Sequence, residues 1–133
     1  MALTRERDTP RREAHVFSYP VAANALILKG ALVVLAAGFA APGSTATGLI
    51  TAGRAEETVD NRGGAAGAVR ATVRRGVLLL TNLPADAVTG ADRGADCFVV
   101  DDETVARTNG GGTRSRAGRV IDLEGGGVWV EVA

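Results

Sequence analysis

From residue 53 onward, short apolar runs alternate with glycine-rich breaks. The runs cover residues 68–74, 76–80, 97–100, 119–123 and 128–132, and the breaks are Asn61-Arg62-Gly63-Gly64, Thr89-Gly90, Asn109-Gly110-Gly111-Gly112 and Glu124-Gly125-Gly126-Gly127. Runs of four to eight β-favouring residues at short spacing, punctuated by Gly and Asn, predict a barrel or sandwich of strands. Residues 68–75 show the period most clearly. Val69, Ala71 and Val73 fall on one face and Arg70, Thr72 and Arg74 on the other, which predicts a half-buried strand with an outward basic stripe. The last two runs form a hairpin about the turn at residues 124–127. In its second strand Val128, Val130 and Val132 share one face and Trp129 and Glu131 the other.

The most apolar stretch is residues 21–42, VAANALILKGALVVLAAGFAAP. It invites two other readings, a membrane span and a secretory signal with Arg11 and Arg12 upstream and small residues at Ala40-Ala41. A spanning helix has about 20 residues, and a central Lys costs about 2.5–3.5 kcal/mol, so Lys29 opposes the first. Lys29 also splits the apolar core a signal peptide needs, and Glu6, Asp8 and Glu13 mix acid into its basic flank. The pattern fits a strand at 25–28, a bend at Lys29-Gly30 and a strand at 31–35, with Gly38 and Pro42-Gly43 as the exit turn.

Elsewhere the signals are shorter. Residues 1–13 are polar, carry both charge signs and contain Pro10, so residues 1–14 are assigned to an extended N-terminal arm and residues 15–133 to a single β domain. A first strand is expected at 15–19, and a strand or strand pair over 48–52 and 54–59. Residues 86–94 read as a turn-rich connection with one helical turn around 91–93. No internal repeat or heptad is present.

Composition sharpens this picture. A chain of 133 residues buries roughly two-thirds of its unfolded surface, enough for one core. Three Phe, one Trp and one Tyr leave most packing to Val, Ala and Leu, so burial against a neighbouring copy is expected to help stability. The formal charge is zero, with 15 basic and 15 acidic residues, which argues against direct nucleic-acid binding. Every basic residue except Lys29 is arginine, a bias that GC-rich coding or carboxylate-facing interfaces would produce. The lone Cys97 excludes an intrachain disulfide and fits a reducing compartment.

Candidate chemistry is sparse. Cys97 and His15, the only thiol and imidazole, are the components of a nucleophile–base pair, but the run Cys97-Phe98-Val99-Val100 suits a small buried hydrophobe better. Asp101, Asp102 and Glu103 carry oxygen ligands for a hard cation; with no second cluster they read as a solvated turn, and no metal or cofactor is assigned. The glycines at 110–112 lack the Lys-Ser/Thr of a phosphate loop. No catalytic residue is assigned and the chain is read as a non-enzyme. The residues assigned to partner contact are Arg5, Arg7, Arg11 and Arg12 of the arm, Arg70 and Arg74 of the striped strand, and Trp129, whose face opposite the valines favours an interface.

The strings GRAEETVDNRGG (53–64), VRRGVLLLTN (73–82), GADCFVVDDETVART (94–108), TRSRAGRVIDLEGGGVWVEV (113–132) and LKGALVVLAAGFAAP (28–42) resemble small structural proteins from the head-gene clusters of tailed phages, prophages and gene-transfer particles. The resemblance covers roughly residues 15–133 and carries no site residues. It implies a capsid decoration, or head cement, protein: a small all-β barrel or β-tulip that commonly forms homotrimers and clamps neighbouring major-capsid subunits. It also implies synthesis in the bacterial host cytoplasm and a place on the outer face of the virion, away from membrane and nucleic acid. The arm would then order on the capsid surface. The competing reading is an exported bacterial β-domain with residues 1–41 as its targeting segment; a small Cys97 enzyme is a third.

Overall fold

The computed structural model describes residues 1–12 and 14–133; Glu13, which the sequence reading places in the arm, lies outside the described residues. The chain is all-β. Its strands are β1 (Val16–Pro20), β2 (Leu26–Ile27), β3 (Leu32–Ala36), β4 (Phe39–Pro42), β5 (Ile50–Ala55), β6 (Val59–Asp60), β7 (Arg70–Arg74), β8 (Gly76–Asn82), β9 (Asp96–Val99), β10 (Thr104–Ala106), β11 (Arg116–Glu124) and β12 (Gly127–Val132). Helix is confined, among the described residues, to two 3-10 turns at Pro84–Asp86 and Gly90–Asp92, the second overlapping the expected helical turn. No helix there is long and apolar enough to cross a membrane.

Two β units share the chain. Strands β10-β8-β12-β11-β9 form a closed barrel, and β1-β7-β5-β3-β4 form an antiparallel sheet. Just beyond β1, Val21 makes a parallel bridge to Ala40 of β4, so the two edges of that sheet come together. The ribbon of β2 and β6 is separate.

The partition between the units is β3. Its sequence, LVVLA, is continuously apolar because both of its faces are covered. Leu32 and Val34 enter the barrel core with Leu78, Leu80, Val128 and Val130, while Val33 enters a second core with Val21, Ile27 and Val73. That second core is lined by Ala31, Ala40, Ala52, Ala55 and Ala71, side chains small enough for a tightly curled sheet. The segment read as two strands about a Lys-Gly bend is therefore central to both cores.

Several expected boundaries are corrected. Gly38 does not lead out of the sheet: Ala37 (φ 50°) and Gly38 (φ 86°) form a two-residue hairpin loop, and β4 returns along β3 from Ala36↔Phe39 to Val33↔Pro42. Both loop residues have positive φ, the turn whose twist matches the strands. Pro42 is tolerated because β4 lies at a sheet edge. The strand expected at 25–28 shrinks to Leu26–Ile27, leaving Leu28 exposed. Val69 does not join Ala71 and Val73 inside; it precedes β7, and its carbonyl accepts Val21 N–H at 3.0 Å. Strand β10 was not anticipated, yet it closes the barrel by pairing parallel to β8 and antiparallel to β9.

Glycine matters most where strands nearly touch. Gly118 sits at the register shift between β9 and β11, where a Cβ would collide with the Glu131 carbonyl oxygen and come within 2.8 Å of Val130 Cγ1. Only a residue without Cβ lets β11 and β12 close there.

Candidate interaction surface

The reactive groups lie apart. Cys97 is fully buried in the barrel core, its thiol donating to the Gly118 carbonyl at 3.7 Å, and burial pushes its pKa up to about 12. A thiol held protonated in this way is a poor nucleophile. His15 is exposed just ahead of β1, in a hollow of about 300 Å3 with Ala14, Gly76, Val132 and Ala133 that Cys97 does not reach. Asp101, Asp102 and Glu103 form the loop between β9 and β10, where Glu103 N–H donates to Asp101 Oδ1 at 2.9 Å. Among the described residues no three His, Cys, Asp or Glu side chains are placed to hold a metal ion.

The predicted contact residues fall into three places. Residues 1–12 are exposed throughout and contain no strand; the backbone bond within them joins Thr9 N–H to the Arg7 carbonyl at 3.0 Å. Arg5 and Arg7 are exposed in this arm. Arg12 instead folds back over the Phe17 ring at 5.2 Å, which Arg75 also covers at 4.6 Å, and Phe17 stacks on Tyr19 at 6.1 Å between centroids. Arg11 is exposed beside it.

The second place is β7, where Arg70 and Arg74 are exposed as the expected basic stripe and are hydrogen-bonded or ion-paired to neighbouring residues. Arg70 donates to Ser18 Oγ and to the Ser18 carbonyl, both at 2.9 Å. Arg74 lies 3.3 Å from Glu56, which also binds Arg54 at 3.0 Å, and these arginines hold the Glu56 carboxyl below its ordinary range. The stripe's partners are Ser18 of β1 and Glu56 just after β5, the two strands that flank β7.

The third place is the outer face of the barrel. Trp129 is half-buried on β12, opposite Leu79 of β8 in the register. Val77 and Leu79 are 47% and 48% exposed, while Leu78 and Leu80 between and beyond them enter the core. Strand β8 is therefore apolar on both faces although only one is covered. A groove of about 230 Å3 runs beside it, lined by Gly30, Leu32, Arg54, Leu79 and Trp129. Arg54 joins this groove to the Glu56–Arg74 cluster on the sheet. Sequence reasoning named Trp129 but missed Val77, Leu79 and Arg54. The available signal was the run GVLLL itself, since a strand covered on one face has no packing need for apolar residues on the other.

No protein-family model, no curated protein and no solved structure matches this chain.

Proposed function

We propose that this protein is a decoration protein of a phage-type capsid, docking on the outer face of an icosahedral shell as a homotrimer and bridging neighbouring major-capsid subunits. The observation that carries the reading is the outward apolar strip of Val77, Leu79 and Trp129 on a barrel whose opposite face is already packed. An all-β domain with a spare apolar face and an exposed arm is built for contact area, and the segment resemblance described above supplies the kind of partner. A protein that binds only the assembled lattice stabilises it by its own binding free energy, repeated at every copy.

The exported-domain reading fares worse on packing grounds. A chain cut near Pro42 would lose Leu32 and Val34 from the barrel core and Val21, Ile27 and Val33 from the second core. Those side chains are 0–1% exposed, so their loss opens large cavities.

The test is co-sedimentation of the purified protein with expanded and unexpanded shells of the cognate major capsid protein. Binding to expanded shells, weakened by Trp129→Ala in a protein that keeps its dichroism spectrum, is the expected result. Failure to sediment with either shell overturns the proposal.

A further inference from the structure

We propose that the main-chain edge of β8 at Val77 and Leu79 is a strand-pairing site, and that its occupant is the N-terminal arm of a second copy of this chain. The proposal does not rest on the capsid reading. Strand β8 pairs with β12 from Gly76 to Thr81, but with β10 only at Thr81 and Asn82. Asn82 N–H points to the β12 side, donating to the Gly126 carbonyl at 3.0 Å, and Thr81 N–H points to the other side, donating to the Glu103 carbonyl at 2.7 Å. The two-residue period of a strand then directs the N–H and C=O of Val77 and Leu79 to the side that β10 does not reach. Among the described residues nothing bonds to these groups. A bare edge of this kind accepts an added strand.

The surface beside the edge selects what can add. Along Val77 and Leu79 it is apolar, with Leu32 and Trp129 in the groove. Where β10 ends the open stretch it turns acidic: Asp102 and Glu103 border the adjoining hollow with Leu28, Lys29 and Ala31, and among the described residues neither carboxylate is paired with an arginine. The arm carries the complement in the same order. In an extended chain Met1, Leu3, Arg5 and Arg7 share one face, two apolar residues followed by two cations. Laid parallel to β8, it sets Leu3 in the groove and brings Arg5 and Arg7 to the acidic end, at about 3.3 Å per residue. Pro10 lies beyond the paired stretch, so it costs no ladder bond.

A second copy is favoured over the chain's own arm by direction. Ala14 leaves the domain in a hollow that Gly76 and Val77 also line, at the start of β8, so the chain's own arm runs from there toward Thr81, antiparallel to β8, and lies parallel to it only by doubling back along the same edge. Arm-to-edge contact between copies is head-to-tail, the kind that closes into rings.

The experiment uses the full-length protein, with light scattering for its size and hydrogen exchange at the Val77 and Leu79 amides. Three variants are compared: deletion of residues 2–9, Arg5→Glu with Arg7→Glu, and Asp102→Arg with Glu103→Arg. None touches either core, and unchanged dichroism confirms folding. The wild type is expected to be oligomeric, with the two amides exchanging at least about tenfold more slowly than in the deletion variant, the factor for about 1.4 kcal/mol. Each charge-reversed variant should lose the oligomer, and an equimolar mixture of the two should associate again, because the reversed arm of one then meets the reversed edge of the other. An oligomer and amide protection that survive the deletion overturn the proposal. So does a monomer whose arm protects its own edge, or protection that appears only when capsid shells are added.

Discussion

At the scale of single residues, burial decides what each group can do. Cys97 illustrates this: a thiol with no exposure and a pKa pushed to about 12 packs as a small hydrophobe. Native protein should resist a thiol-specific disulfide reagent that reacts at once after denaturation, and fast labelling of the folded chain would contradict its placement in the barrel. Because the folded value lies above the ordinary 9.0, the stabilising effect is complete below pH 9.0 and is lost as pH rises from there toward 12. Cys97→Ala should cost about 1 kcal/mol through a small cavity and leave partner binding unchanged. A second residue holds an unfavourable backbone. Ala37 sits at φ 50° in the β3–β4 turn, a conformation Asn tolerates better than Ala. Ala37→Asn should raise stability by about 0.5–1 kcal/mol, read as a higher midpoint in urea. A lower midpoint would mean that the Ala37 methyl group makes contacts that outweigh the backbone gain.

At the scale of elements, close approach between strands is what the chain cannot relax. Gly118 lets β11 pass against the Glu131 carbonyl of β12, with β9 pairing on its other side. Gly118→Ala must push two paired strands apart, and a loss of about 1–3 kcal/mol is expected from thermal melts. An unchanged melt would show that the bulge absorbs a methyl group. This constraint also marks where sequence was legible. The β class followed from runs and glycine breaks, and the terminal hairpin, with Val128, Val130 and Val132 inward, lies where alternation puts it. Strand β4 was hidden because an Ala-Gly pair carries little turn signal, so Gly38 looked like an exit. Strand β10 was hidden because three residues after an acidic loop show no period, although they close the barrel. The interaction surface was legible only in part. Trp129 stands out by residue type, but the open edge of β8 depends on where β10 stops pairing, which is a property of register and not of local sequence.

At the scale of the whole molecule, carboxylate–arginine contacts fasten the loops to the strands. Asp86 accepts from Thr108 N–H, Thr108 Oγ1 and Arg114 Nη1, joining the first 3-10 turn to the loop after β10. Asp92 receives Thr89 N–H and Arg107, and Asp122 of β11 receives Arg93 from the second 3-10 turn. Asp60 is gripped by the Arg62 side chain and backbone, which lower its pKa to about 2, and Glu56, Asp86, Asp92 and Asp122 are lowered in the same direction by their hydrogen-bond donors. Lowered carboxyl values mean that the unfolded chain binds protons first. Their stabilising effect is therefore present above the ordinary values of 3.8–4.5 and is lost as pH falls through the folded values. Most of these contacts are exposed and weak in water, Arg114–Asp86 being partly buried, so the effect is cumulative and should shrink in high salt. The melting temperature is expected to be level on the neutral side of pH 4.5 and to fall progressively between 4.5 and 2, less steeply when salt is added. Since the contacts lie at loops and both cores are built of neutral side chains, hydrogen exchange should show the loops over residues 84–94 and 107–114 opening before the barrel strands. A melting temperature that stays constant down to pH 2, or strands and loops that open together, would show that these ion pairs do not hold the loops in place.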